Sequence, residues 1–260
     1  MPGLPFDPDP DAIIVPGTFF RQAWGRSKPM PSTAVVTWMV DAVERAVERD
    51  RARWIGYFSL AFHRYDVAAY WVKGFGEVAV ACCPIGAPGS AIVMENLIAL
   101  GARSVVAVGS CGDLNGHPHG QAFAVTRALR SEGTSAHYTD SADPWIALDA
   151  DARLVLEAAL EAAGLPAVPA ATWTTDAMMR ETQAQVDLVR DVHGCQVVDM
   201  ECSALAAVAR FRGVSYAHAL YAQDTLADAD GWQHRQGTGT GPKLRDRMLR
   251  ASCRAAANLG

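Results

Sequence analysis

The chain has 260 residues, of which half are apolar and 20% are charged. That balance belongs to a chain with a sizeable core and excludes an intrinsically disordered one, which could not bury enough surface to offset its ordering entropy. Twenty-three basic residues against 28 acidic ones give a formal charge of −5, which argues against a protein that works by neutralising nucleic-acid phosphates.

The chain opens MPGLPFDPDPD, acidic and proline-rich, without the basic start and apolar run of a signal peptide. No apolar stretch approaches the roughly 20 residues of a membrane span, so no membrane partner and a cytoplasmic location are expected. Residues 11–15, DAIIV, predict a short strand stopped by Pro16-Gly17. Residues 31–50 carry Val36, Met39, Val40, Val43 and Val47 at helical spacing, with Ser32 or Thr33 as the cap. Residues 54–60, 67–72 and 77–83 read as successive strands, the last two joined by Lys73-Gly74-Phe75-Gly76. The clearest unit follows. A buried strand ends at Pro84, the turn IGAPG leads into a helix from Ser90 that Gly101 stops, and Ser104 to Gly109 is the next strand. Strand, short turn, helix, strand is the βαβ signature of a parallel sheet.

Helices are expected at 149–163, 201–211 and 243–257, with a strand at 214–221 and long polar loops at 112–120, 131–149 and 227–242. Cys82, Cys83, Cys111, Cys195, Cys202 and Cys253 form no CxxC pair, so they read as reduced thiols, and neither a disulfide framework nor a metal site is expected. No repeat or linker marks a boundary. The expectation is an α/β fold over residues 1–260 as a single domain, three-layer α/β/α about a central mixed β-sheet.

Three segments concentrate chemistry. VVAVGSCGDLNG (105–116) puts Ser110 and three glycines just past a parallel strand, where backbone N–H groups become available and glycine permits close approach of a ligand; an ordinary tight turn is the plainer reading. QVVDMECSALAAVARF (196–211) sets Asp199 and Glu201 at a strand-to-helix junction. One carboxylate is expected to point inward, where an acceptor-only group suits a pair of vicinal hydroxyls, and the other to solvent, although the helix dipole alone would favour both. Asp224 ends another apolar strand, 23 residues after Glu201. A helix and a returning strand fill that interval and would bring both carboxylates to one sheet edge. A carboxylic acid in such a cleft can serve as proton donor, and a turn-forming aspartate is the alternative.

In this order and spacing the segments resemble the nucleoside phosphorylase-I family of purine nucleoside phosphorylases, uridine phosphorylases and nucleosidases. IGAPGSAIVMENLIALGARSVVAVGSCGDL is similar to the family's central βαβ unit, VVDMECSALAAVA to its ribose-binding segment, and IIVPGTFFR to its glycine–arginine phosphate loop. The resemblance implies that Glu201 binds the 2′- and 3′-hydroxyls of ribose, with Met200 and Ser110 against the sugar. It implies that Asp224 protonates N7 of a departing purine, with Cys111, Gly112, Met178, Met179 and Val198 around the base. Gly17, Arg21 and Ser110 would hold phosphate, and Arg64 would be lent to a neighbouring subunit of a homo-oligomer, a dimer or hexamer. No cofactor or metal is implied, and inorganic phosphate would be the co-substrate.

The sequence also departs from that pattern. Ala107 stands where the phosphorylases carry a phosphate-binding arginine, the Gly17 loop lacks its Asp-Pro, Asp199 replaces a glutamate, and Gln223 replaces a serine. The stretch from Gly17 to Ser110 is also longer than usual. Loss of an arginine removes a charge-assisted anion contact. Phosphorolysis of a purine nucleoside is therefore expected, with hydrolysis by water as the alternative and a non-catalytic nucleoside-binding protein as a third reading. The uracil-reading insertion of uridine phosphorylases is not recognisable, which favours purine.

Overall fold

The computed structural model describes residues 6–22, 30–60, 63–227, 232–234 and 241–260. A mixed sheet runs through the molecule, organised around one long strand. On one side of β6 (Ser104–Asp113) lie β2 (Thr33–Thr37), β5 (Gly76–Cys82), β4 (His63–Val72), β3 (Ala52–Leu60) and the edge strand β1 (Phe20–Gln22). β5, β2 and β6 are parallel, and TAVVT, VAVAC and SVVAVG are the continuous apolar runs that a strand covered on both faces requires.

On its other side β6 joins a closed ring. It pairs with β11 (Ser215–Thr225) and β10 (Val197–Asp199); β11 continues to β7 (Ala122–Ser131), β7 to β9 (Ala167–Thr175), and β9 back to β10. The short β8 (Trp145–Ala147) lies outside β7, and β12 (Gln233–His234) outside β11.

Helices cover both faces, as expected. Ala34, Val36, Val105 and Ala107 point to the side of α2 (Ala87–Ala99) and α5 (Cys202–Arg212), where Leu97 and Leu205 are wholly buried. Val35, Val106 and Val108 point to the side of α1 (Val40–Glu48), α3 (Ala150–Ala162) and α6 (Gly241–Asn258), against Leu156 and Met248. Each buried Val, Leu or Met among them contributes about 1.5–3 kcal/mol. Arg212 donates from Nε to both oxygens of Glu95 (3.0 and 2.9 Å), which ties α5 to α2. Gly213 ends α5 in the left-handed conformation, φ +66. All six cysteines are buried and unbridged. No helix among the described residues is long and apolar enough to cross a membrane.

Several sequence expectations are corrected. Residues 31–50 are not one helix: Thr33–Thr37 is the fully buried β2, and α1 begins only at Val40, without Ser32 or Thr33 capping it. The apolar spacing there joins two elements, and burial on both faces makes the first a strand. Residues 11–15 form no strand; Ile13, Ile14 and Val15 are exposed. This segment instead straps the helices, with Pro10 O accepting from Arg212 and Gly17 N–H donating to Asn96 (2.8 Å). α2 starts three residues before Ser90, with Pro88 in its first turn. β7 and β9 are additional, alanine-rich strands, and the expected loop at 131–149 contains β8. Most of the loop expected at 227–242 lies outside the described residues.

Candidate active site

β6 does not stop at Gly109 but continues to Asp113, carrying Ser110, Cys111 and Gly112. Strand register then assembles the cleft. Gly112 pairs with Val198 on β10 and with Asp224 on β11. A Cβ on Gly112 would lie 2.7 Å from Leu226, 2.8 Å from Val198 and 3.6 Å from Asp224 Oδ1, so glycine is required here by space. A register shift between Ala222 and Asp224 leaves Gln223 as an extra residue, a bulge of the kind that re-aims the following side chain. Asp224 is half-buried, and its Oδ2 accepts from the Trp232 indole Nε1 (2.5 Å).

Asp199 and Glu201 are both buried, at 5% and 8% exposure, so neither points to solvent as one was expected to do. Their tasks differ. Asp199 Oδ1 accepts from the hydroxyls of Thr172 (2.9 Å) and Thr174 (2.7 Å), and Oδ2 from the backbone N–H of Glu201 (2.9 Å) and Cys202 (2.6 Å). It anchors the start of α5 to β9. Burial raises its pKa against all four of those hydrogen bonds. Glu201 is held less completely. Its Oε1 accepts from the N–H of Gly86 (2.6 Å), in the turn before α2, where φ is +97. Burial first, and the charge of Asp199 second, push Glu201 up to about 8. A buried carboxylate retaining acceptor capacity is suited to a ligand that brings two hydroxyl donors.

α5 leads away from Glu201 and β11 returns to Asp224. Both carboxylate-bearing segments reach the end of β6: the buried Cys111 thiol is pushed well up by burial and then by the charges of Asp199 and Asp224. The structure therefore gathers Ser110, Cys111, Gly112, Val198, Met200, Glu201 and Asp224. Met178 and Met179 follow β9 in a short 3₁₀ turn and are 52% and 86% exposed. Glu181 closes that turn, half-buried, and is pushed up to about 7 by burial and then by the charge of Asp224.

The expected phosphate group does not assemble. Arg21 lies on β1, five strand spacings from β6, about 24 Å along the sheet, and its guanidinium donates to the carbonyls of Thr18 and Phe20. Gly17 rests on Asn96 and Ala99. Arg64, on β4, is paired with Asp66 and lies 4.3 Å over the Tyr57 ring. Of Gly17, Arg21 and Ser110, only Ser110 is at the cleft of its own chain. The loop beside it is instead Thr37-Trp38-Met39, leaving β2. Trp38 packs so closely on Gly109 that a Cβ there would meet its ring at 2.8 Å. Its Nε1 donates to Pro84 O (2.8 Å) and reaches Ser90 Oγ (3.3 Å). Its ring is stacked on His218, centroids 6.0 Å apart and 13° from parallel.

Ala107 pairs with Val36 on β2 and His218 on β11. The register sets residue 107 level with His218, two residues before the Gly109 that the Trp38 ring covers. His218 is 1% exposed, its Nδ1 lies 2.9 Å from the Tyr216 hydroxyl, its Nε2 has no partner, and burial lowers its pKa to about 3. It is a neutral ring and supplies no cation. Trp38, His218, Gly86 and Glu181 are the site residues that sequence reasoning missed. The misread helix hid Trp38; the glycine-rich turn at 85–89 was the available signal for Gly86.

Residues 33–257 match the phosphorylase superfamily, which covers most of the chain and begins with β2, leaving Gly17 and Arg21 outside. The chain belongs to the phosphorylase superfamily. A uridine phosphorylase from Thermococcus kodakarensis is 36% identical over 108 residues, an alignment spanning 41% of this chain and only 38% of that relative. The fold is shared with purine nucleoside phosphorylase from Toxoplasma gondii in complex with immucillin-H, at a TM-score of 0.76 and 19% identity, covering 89% of this chain and 92% of that one. It is shared likewise with uridine phosphorylase from Vibrio fischeri ES114, at 0.72 and 24%, covering 88% and 92%.

Asp199, Cys202 and His218 bring possible metal donors within 4.8 Å of one another, all buried. The Asp199 oxygens are already committed to α5 and β9. That trio is accounted for as core.

Proposed function

We propose that the chain cleaves the N-glycosidic bond of a purine nucleoside and that water, rather than phosphate, attacks the sugar. The superfamily membership and the paired carboxyls at one cleft support the first part. The observation that carries the second is the Trp38–His218 stack beside Ala107. Two neutral rings lie where a phosphate-binding side chain would be needed, and Arg21 bonds the carbonyls of its own segment.

In this reading Glu201 accepts hydrogen bonds from the 2′- and 3′-hydroxyls, oriented by the Gly86 N–H on its other lone pair. The bond from C1′ to the base nitrogen breaks, and positive charge develops on the sugar. The acceptor oxygens of Glu201 beside the sugar favour that charge. Asp224, whose Oδ2 accepts from the Trp232 N–H, carries a proton to N7 so that the base leaves neutral. Water bonds to C1′ and releases a proton, which balances the one given by Asp224. The products are free base and ribose.

Phosphorolysis is the second reading, favoured by what the uridine and purine nucleoside phosphorylases are named for. Exposed Ile85 and Ile92, on the turn and helix beside the Gly86 contact, support a homo-oligomer as the working form. Incubation with adenosine and inosine, with and without phosphate, separates the readings: phosphate-independent base release is expected, and release that requires phosphate contradicts it.

A further inference from the structure

Asp224 stands just beyond the Gln223 bulge, and the loop after β6 grips β11 on both sides of it. Before the bulge, Gly120 N–H donates to Ala222 O (2.8 Å) and Ala222 N–H to Gln121 O (2.9 Å). Beyond it, Leu226 N–H and the Thr225 hydroxyl donate to Asp113 O (2.9 and 3.3 Å). Between these grips the loop is pinned by His117. Asp113 is wholly buried; its Oδ2 accepts from the His117 backbone N–H (2.8 Å), and its Oδ1 lies 2.6 Å from His117 Nδ1. An ionised carboxylate only accepts, so the ring donates. The imidazole also stands edge-on to the buried Phe123, centroids 5.1 Å apart, and Phe123 pairs with Leu220 on β11.

A bulge interrupts the hydrogen-bond ladder, so the aim of Asp224 depends on what holds the residues on either side of it. We propose that His117 is a positioning residue for the proton donor: through Asp113 it keeps the loop clasped about the bulge and so fixes Asp224 against the base. The proposal rests on the N-glycosidic reading above, in which Asp224 protonates N7. A misplacement on the order of 1 Å at such a donor can cost about 10²-fold in rate. The effect is confined to substrates that need that proton. A 7-methylpurine nucleoside already carries the positive charge that protonation of N7 would confer. Its base leaves neutral when the bond to C1′ breaks, without an acid.

The test measures kcat and KM for adenosine and 7-methylinosine in the natural chain, His117→Ala, His117→Asn and Thr225→Val. His117→Ala should lower kcat for adenosine by about tenfold or more, leave its KM within about twofold, and leave kcat for 7-methylinosine nearly unchanged. His117→Asn, whose amide N–H takes the place of Nδ1, should recover most of the loss. Thr225→Val keeps the shape and deletes the tie from the strand side. It should show the same selectivity in smaller measure, and it carries the test if His117→Ala does not fold. Equal losses on the two nucleosides, or no loss in a folded His117→Ala protein, overturn the proposal. The Trp232 indole N–H, bonded to Oδ2 of Asp224, gives a readout that needs no turnover. Its proton resonance, assigned with Trp232→Phe, should move in His117→Ala and stay in place in His117→Asn. If the natural chain cleaves neither nucleoside, the N-glycosidic reading fails; a moved resonance in His117→Ala would still support the clasp, and an unmoved one would overturn it.

Discussion

Trp38 and His218, 180 residues apart in sequence, lie face to face over the middle of the sheet, 6.0 Å between ring centroids and 13° from parallel. The stack is held at both ends, by Pro84 O on the Trp38 indole and by the Tyr216 hydroxyl on His218. Gly109 is the small residue that makes room for the indole, since a Cβ there would meet the Trp38 ring at 2.8 Å, and Ala107 lies level with His218 on the neighbouring strand.

Ala107→Arg should be poorly tolerated, since position 107 is wholly buried and lies level with the buried His218 ring on the next strand. Overpacking predicts a loss of about 1–3 kcal/mol or more. Combined with Trp38→Gly, the arginine should cost less than it does alone. Urea unfolding of the two single variants and the double variant measures the coupling; strict additivity would show that the two positions do not share the space.

Glu201→Gln should be more stable than the natural chain at alkaline pH, and inactive. Glu201 rises from its ordinary 4.5 to about 8 on folding. Between those values the folded chain holds a proton that the unfolded chain has lost, so stability falls as pH rises. Removing the charge should restore on the order of 5 kcal/mol above pH 8 and almost nothing near pH 4. Thermal melts of both proteins across that range provide the check, and equal melting temperatures at pH 9 would contradict the burial argument.

Asp199→Ala should be severely destabilising, because two buried hydroxyls and two backbone N–H groups at the start of α5 lose their acceptor together. About 3–5 kcal/mol is expected. Denaturant midpoints test it, and a loss below 1 kcal/mol would mean that α5 is anchored elsewhere.

Asp224→Asn keeps the shape but removes the transferable proton, so kcat should fall by about 10²–10⁴-fold with little change in nucleoside binding. Trp232→Phe, which deletes the hydrogen bond to Oδ2, should lower kcat less. Single-turnover base release measures both, and an Asp224→Asn variant with unchanged kcat would exclude Asp224 as the acid.

The sequence made the central βαβ unit legible because its punctuation is strong: Pro84, the glycine turn and Gly101 delimit elements whose apolar runs are unambiguous. Glu201 and Asp224 were legible as a pair because one helix and one strand fit the interval between them. β2 was not, since TAVVT followed at once by an amphipathic helix reads as one helical pattern, and only burial on both faces separates them. That error carried a second one. With β2 hidden, IIVPGTFFR looked like the loop beside Ser110, whereas Trp38 holds that position and Arg21 sits on an edge strand. The closing of β6 into a ring depends on long-range pairing that local periodicity does not encode. Glu181 is polar in a polar turn, and only the fold brings it to Asp224.

The central claim is that a nucleoside is cleaved here by water in a cleft that Trp38 and His218 close to phosphate. Its most direct test is product analysis after incubation with adenosine in phosphate-free buffer and again in excess phosphate. The account predicts equal rates of adenine release, with free ribose as the sugar product in both. Release confined to the phosphate-containing sample, with ribose 1-phosphate as product, would contradict it.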